Sequence, residues 1–88
     1  MNKYKVVGYE HRAGTSKKNG KPYDMDIIHC ISETPIAGDN GYGSRVESLT
    51  FNRLIVGEFP SMPAVGDVIG VYFDRSGYPC DIVPVVQE

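Results

Sequence analysis

Residues 21–32 read KPYDMDIIHCIS, and the alternation within this stretch decides the fold. Side chains of an extended chain point to opposite faces in turn, so every second residue shares a face. One face carries Tyr23, Met25, Ile27, His29 and Ile31. The other carries Asp24, Asp26, Ile28, Cys30 and Ser32. Because both faces mix polar and apolar groups near Tyr23, the pattern predicts a long strand whose first half is not simply buried.

The flanking sequence predicts four further strands and no long helix. Residues rich in Val, Ile, Tyr and Phe alternate with polar ones and are separated by Gly, Asn, Asp and Pro, which is typical of strands joined by turns. The predicted strands are 3–9, 21–32, 45–51, 68–73 and 78–86. The predicted loops and turns are 12–20, 34–43, 65–67 and 74–77, with positive φ available at Gly14, Gly20 and Gly77. Residues 52–63 are ambiguous and leave room for one helical turn, with Leu54, Ile55 and Phe59 closing one end of a barrel.

These elements predict an all-β protein with a single domain over residues 1–88. Five short strands favour a small barrel or sandwich, and a five-stranded OB-type barrel with protruding hairpins fits the length best. Periodicity alone leaves an SH3-like barrel open.

Composition excludes several classes of protein. With 41% hydrophobic residues the chain is too apolar to be disordered, and 88 residues leave little room for a deep enzyme cleft. Met1 is followed by polar residues and no apolar run is long enough to span a membrane, so we expect a soluble protein of the cytoplasm. Cys30 and Cys80 are expected to be free thiols, and His and Cys show no metal-ligand spacing, so neither metal nor cofactor is expected.

Charge is distributed unevenly along the chain. The net charge is −2, yet residues 1–23 hold six basic residues and one acid, whereas residues 24–88 hold three basic and ten acidic residues. The field that attracts a polyanion depends on local clustering rather than on the total. The basic segment 1–23 therefore suits a polyanion, although a solubilising hairpin tip would have the same composition.

Residues 12–25, RAGTSKKNGKPYDM, combine cations on a glycine-containing loop with an aromatic residue and a methionine. Single-stranded nucleic acid requires this combination, because phosphates attract cations and unpaired bases stack on flat apolar groups. The residues alone leave a second interpretation open, in which Tyr23 packs over the hairpin and the lysines are merely solvated.

The same segment resembles the gene V family of filamentous-phage helix-destabilising proteins, which bind single-stranded DNA. The likeness lies in Arg12-Ala-Gly14 and the serine that follows, in Gly-Lys-Pro-Tyr ending at Tyr23, and in the spacing from Tyr23 to Cys30. Residues 64–68 and 81–85 are similar to the turn into the family's fourth strand and to its last strand.

The resemblance implies a non-enzymatic protein that coats single-stranded DNA during phage or mobile-element replication in a bacterial host, without a cofactor. It implies a homodimer. It further implies phosphate contacts from Arg12, Lys17 or Lys18, and Lys21, and base stacking on Tyr23 and Met25. In the family an aromatic residue near the tip of a hairpin contacts DNA bound to the neighbouring subunit, and the matching residue is Tyr78, beside Arg75.

The residues leave two other classes of function open, an enzyme and a protein-interaction module. An enzyme would need more than Asp24 and Asp26, which share a strand face and can hold a cation but more often form a solvated face. A small β-barrel protein-interaction module would present an aromatic surface built from Tyr4, Tyr9, Tyr42, Tyr72 and Tyr78.

Overall fold

The computed structural model describes residues 2–85 and contains five strands and one short helix. In chain order the elements are β1 (Asn2–Thr15), β2 (Pro22–Pro35), β3 (Ser44–Asn52), α1 (Arg53–Val56), β4 (Val68–Phe73) and β5 (Pro79–Pro84). The prediction of an all-β protein is therefore confirmed, as is the helical turn allowed for within 52–63. The last residue of the fifth predicted strand, Val86, lies outside the described residues.

The strands form one antiparallel sheet in the order β3-β2-β1-β4-β5. Because β3 and β5 are its edges, the sheet is open. The prediction of a five-stranded β protein is confirmed, whereas hydrogen bonds between the described strands do not close the sheet into a barrel. The faces predicted for β2 are confirmed, since its pairing with β3 is continuous from Met25 to Ile31.

The first hairpin is longer than the sequence predicts. Residues 12–15 were expected in a loop, but they belong to β1, and Gly14 lies opposite Tyr23 in the ladder rather than at a positive φ. The composition of this stretch is that of a loop, and its pairing with β2 overrides that local preference. The positive φ predicted at Gly20 and Gly77 is confirmed.

A β-bulge interrupts β1 at Val7. Val6 pairs with Cys30, and Gly8 pairs with His29, the residue directly before Cys30 in β2. Val7 is therefore an extra residue in β1. The bulge exchanges the faces of odd and even residues along β1. Val6 faces the core, whereas Glu10, Arg12 and Gly14 lie on the opposite face.

The core lies on one face of the sheet, which we call the core face. Its buried cluster contains Tyr4, Val6, Ile28, Cys30, Leu49, Phe51, Ile69 and Val71. Phe59 packs edge-on against Phe51 with ring centroids 5.3 Å apart. Of the three residues expected to close one end of a barrel, Leu54 and Ile55 are exposed, so that expectation was wrong for them. Phe59 does pack against the core, together with Val56. We call the opposite face of the sheet the outer face.

Candidate nucleic-acid interface

The tip of the β1–β2 hairpin presents three lysines to solvent. Lys17, Lys18 and Lys21 are exposed, and the turn beneath them is closed by two backbone hydrogen bonds between Ser16 and the Gly20–Lys21 segment, each 2.9 Å long. Asn19 Oδ1 accepts a further bond from the Lys21 backbone N–H at 3.0 Å. Because the turn has its own hydrogen bonds, the lysine side chains are free to meet an external anion.

Below the tip, the outer face of the hairpin carries an aromatic ring and a thioether side by side. Tyr23 and Met25 are successive outward residues of β2, opposite Gly14 and Arg12 of β1. A Cβ atom built on Gly14 would lie 2.9 Å from the Tyr23 hydroxyl oxygen, so the ring extends across the strand pair over the glycine. Tyr23 keeps 38% of its surface exposed, which leaves the ring accessible for stacking.

Arg12 shares this face and is paired with an acid of its own strand. Its Nη2 atom lies 3.2 Å from Glu10 Oε1, while 62% of its side chain remains exposed. The same carboxylate oxygen lies 3.3 Å from His29 Nε2, and His29 Nδ1 bonds to Ser48 Oγ at 2.7 Å. A phosphate approaching Arg12 therefore competes with Glu10 for the guanidinium group.

The β4–β5 turn brings Tyr78 to the neighbourhood of Met25. Both line a cleft of about 340 Å³, bounded also by the end of β3, helix α1 and Asp74. Asp74 Oδ1 accepts hydrogen bonds from the backbone N–H groups of Ser76 (2.9 Å) and Tyr78 (3.0 Å), which hold the turn. Tyr78 is 69% exposed, and Arg75 is an exposed residue of the same turn.

The structure thus brings most of the predicted site residues into two groups. Arg12, Tyr23 and Met25 share the outer face of the first hairpin, and Tyr78 lines the same cleft as Met25. Lys17, Lys18 and Lys21 stand at the hairpin tip, and Arg75 stands in the β4–β5 turn.

The core face of the same hairpin holds an ion pair that the sequence did not predict. Asp26 is fully buried, and Arg53 donates to both of its carboxylate oxygens, from Nε at 2.8 Å and from Nη2 at 2.9 Å. The Tyr9 hydroxyl donates to Asp26 Oδ1 at 2.6 Å. Asp24, on the same face, bonds to His11. The arrangement ties α1 to the hairpin.

The electrostatics of this ion pair follow from burial and hydrogen bonding. Burial would raise the pKa of Asp26, but the hydrogen bonds from Arg53 and Tyr9 and the charge of Arg53 outweigh it and hold that pKa below its usual value. The bond to Asp26 raises the pKa of Tyr9, and it also raises the pKa of Arg53.

This geometry corrects both interpretations of the two aspartates. They share a face as predicted, but Asp26 is neither solvated nor free to hold a cation, because Arg53 occupies it. Within residues 2–85, no three His, Cys, Asp or Glu side chains are grouped so that they can hold a metal ion. The sequence feature that could have indicated this buried ion pair is an acidic residue, Asp26, directly before the apolar Ile27 and Ile28.

One of the five tyrosines expected on the aromatic surface of a protein-interaction module is not on the surface. Tyr4 is 5% exposed and belongs to the core, where burial raises the pKa of its hydroxyl. The hydroxyl of Tyr9 is bound to Asp26.

Across residues 2–85, no helix is long and apolar enough to cross a membrane.

Comparison with known proteins adds no relative: no family model, curated protein or solved structure matches the chain. The resemblance to the gene V family therefore rests on the residues quoted above.

Proposed function

We propose that this protein is a non-enzymatic, sequence-tolerant single-stranded DNA-binding protein. The observation that carries the proposal is the register of the first hairpin, in which Arg12 lies opposite Met25 and Gly14 lies under the ring of Tyr23 on one exposed face. Stacking surface and cation are thereby adjacent. That adjacency is what an unpaired nucleotide requires, because its base and its phosphate are a few ångströms apart.

The charge distribution supports the same conclusion. The lysines at the hairpin tip extend the line of cations beyond Arg12, so a strand lying along the hairpin meets positive charge at several points. Phosphate contacts from these lysines would carry no sequence information. The described residues contain no helix long enough to read a groove, since α1 spans four residues. We therefore expect preference for single strands over duplex of equal length.

Three finer features belong to the proposal. We infer a partly open OB-type barrel, because Ile82 of β5 packs against the same core cluster as Phe51 of β3, although the two edges share no ladder. We infer a two-fold homodimer. In keeping with the gene V resemblance, we assign the protein to coating DNA during phage or mobile-element replication in the bacterial cytoplasm.

The decisive experiment is a fluorescence titration with oligo-dT at several salt concentrations, using variants that separate stacking from charge. Tyr23→Phe keeps the ring and should bind like the parent. Tyr23→Ala should cost about 1–3 kcal/mol of binding free energy, the range for one stacked base, and leave the salt slope unchanged. Lys21→Ala should instead reduce the slope by roughly 0.7, the increment for one phosphate on a single strand.

Melting temperatures provide the control. If Tyr23 only packs over the hairpin, Tyr23→Ala lowers the melting temperature, and affinity follows stability. A Tyr23→Ala variant that is fully folded and binds oligo-dT as tightly as the parent excludes this face as the DNA surface. Competition by duplex as strong as that by single strand excludes the proposed binding mode.

A further inference from the structure

The cleft between Met25 and Tyr78 has the size and lining of a small-molecule site. Its volume is about 340 Å³, within the range of roughly 300–1,000 Å³ typical of ligand pockets. Side chains of Met25, Ile55, Val56, Pro79 and Tyr78 supply most of its wall, with Thr50 and Asn52 among its polar members. A mainly apolar cleft with a few polar groups suits a flat heterocycle.

The polar groups favour a nucleobase over a purely hydrocarbon ligand. Asn52 uses its side-chain oxygen to accept the Leu54 backbone N–H at 3.0 Å, so the group that it offers to the cleft is its NH₂ donor. The Thr50 hydroxyl is both a donor and an acceptor. Carbonyl oxygens of thymine, cytosine and guanine are matching acceptors.

Both walls of the cleft are held in place before any ligand arrives. Arg53, the first residue of α1, is fixed by its two hydrogen bonds to the buried carboxylate of Asp26. That anchor positions Ile55 and Val56, which follow Arg53 within the same helical turn. On the other side, Asp74 Oδ1 holds the backbone of Ser76 and Tyr78, so this carboxylate is occupied by the turn.

Two arginines lie beside the elements that line the cleft. Arg12 is the cross-strand neighbour of Met25, and Arg75 is in the turn that carries Tyr78. An anionic backbone passing the cleft therefore finds a guanidinium group on either element, which a neutral aromatic ligand would not require. Charge complementarity thus selects a nucleotide within a strand as the occupant.

We propose that this cleft receives one unstacked base of the bound strand, held between Met25 and Tyr78 of the same chain. The inference rests on the function proposed above and adds to it a defined base site. It also replaces the expectation, drawn from the resemblance, that Tyr78 acts on DNA bound to a neighbouring subunit.

The first test fills the cleft while sparing the stacking surface and the cations. Thr50→Phe places a large side chain in the cleft at an exposed strand position where an aromatic residue is well tolerated. Val46→Phe is the matched control, because Val46 is 74% exposed on the same face of the same strand and does not line the cleft. We expect Thr50→Phe to weaken oligo-dT binding about tenfold with an unchanged salt slope, and Val46→Phe to bind like the parent.

The outcomes separate the two proposals. A parent chain that does not bind oligo-dT overturns the proposed function and the base site with it. If the parent binds and folded Thr50→Phe binds equally tightly, the base site alone is overturned.

The second test asks whether one chain completes the site. Met25→Ala and Tyr78→Ala should each weaken binding, and the two variants are then unfolded together and refolded as a mixture. If both residues act within one chain, every chain in the mixture is defective and affinity is not restored. Recovery of tight binding by a fraction of the sites would show that Tyr78 serves a neighbouring chain, and would overturn the inference.

Discussion

The ring of Tyr23 lies over Gly14, and the separation leaves no room for a side chain: a Cβ atom on Gly14 would come within 2.9 Å of the Tyr23 hydroxyl oxygen and 3.2 Å of the ring carbon that bears it. Gly14 lies in β1 without a positive φ, so its importance is the space it leaves rather than its backbone conformation. The glycine therefore sets where the ring can rest.

Gly14→Ala should displace the Tyr23 ring and weaken oligo-dT binding by part of the roughly 1–3 kcal/mol that one stacked base contributes. Stability should not fall, because alanine in a strand is favoured over glycine by about 0.5–1 kcal/mol. Gly8→Ala is the control, since its Cβ would meet His29 at an ordinary 3.7 Å. Equal affinity for the two variants would contradict the steric argument.

Glu10→Gln should strengthen binding. It removes the negative charge 3.2 Å from the Arg12 guanidinium and leaves an amide that still bonds His29. An exposed ion pair contributes up to about 1 kcal/mol, so affinity should rise up to about fivefold at low salt, and the gain should shrink as salt screens it. Asp39→Asn, in the loop beyond the far end of β2, makes the same charge change and should have a smaller effect. A larger gain from Asp39→Asn would mean that net charge, not the Arg12 pair, limits binding.

Acid should destabilise the protein through Asp26. Its pKa is lowered in the folded state from an ordinary value of 3.8, so the stabilisation is fully present above about pH 4 and is lost as the pH falls through the lowered value. Asp26→Asn should cost about 2–3 kcal/mol at pH 7 by breaking the bonds to Arg53. Urea unfolding at pH 7 and pH 3 tests this, and the gap between parent and variant should narrow at pH 3. A constant gap would show that protonation of Asp26 does not control acid stability.

The two free thiols should differ in reactivity. Burial, followed by the charge of Glu47, raises the pKa of Cys30 to about 11, so little thiolate forms at pH 8. Cys80 is only half-buried. Alkylation of the native protein at pH 8, followed by mass spectrometry, should label Cys80 first and leave oligo-dT binding intact. Preferential labelling of Cys30, or a mass lower by two hydrogens before treatment, would contradict it.

The inferred homodimer predicts twice the chain mass in light scattering at high micromolar concentration. A small core gains stability when a second copy covers part of the sheet, so the melting temperature should rise with protein concentration. A monomer mass with a melting temperature independent of concentration would remove the dimer from the proposal.

Features of the fold that depend on local sequence patterns could be predicted from the sequence, and features that depend on long-range contacts could not. The two faces of residues 23–31 followed from alternation alone, because strand geometry assigns each side chain from its neighbours. Strand pairing at Arg12 to Thr15 did not, because that stretch has the composition of a loop and is extended only through hydrogen bonds to residues 22–25.

The site shows the same division. Cations, Tyr23 and Met25 could be identified from the sequence because they lie together within residues 12–25. The partner of Asp26 was not, since Arg53 lies 27 residues further along the chain and only the folded sheet brings it near. That Met25 and Tyr78 line one cleft likewise depends on long-range packing, since one lies in β2 and the other between β4 and β5.

The bulge at Val7 affects the angle at which the first hairpin projects, but not which side chains lie next to one another along it. Removing Val7 would leave Val6 opposite Cys30 and Gly8 opposite His29, so every later side chain of β1 would keep its face and its cross-strand neighbour. What would change is the bend and twist that the extra residue introduces, and with them the angle at which the lysine-bearing tip projects from the sheet. A one-residue deletion would thus redirect the lysine-bearing tip while each residue of the proposed DNA surface keeps its cross-strand neighbour.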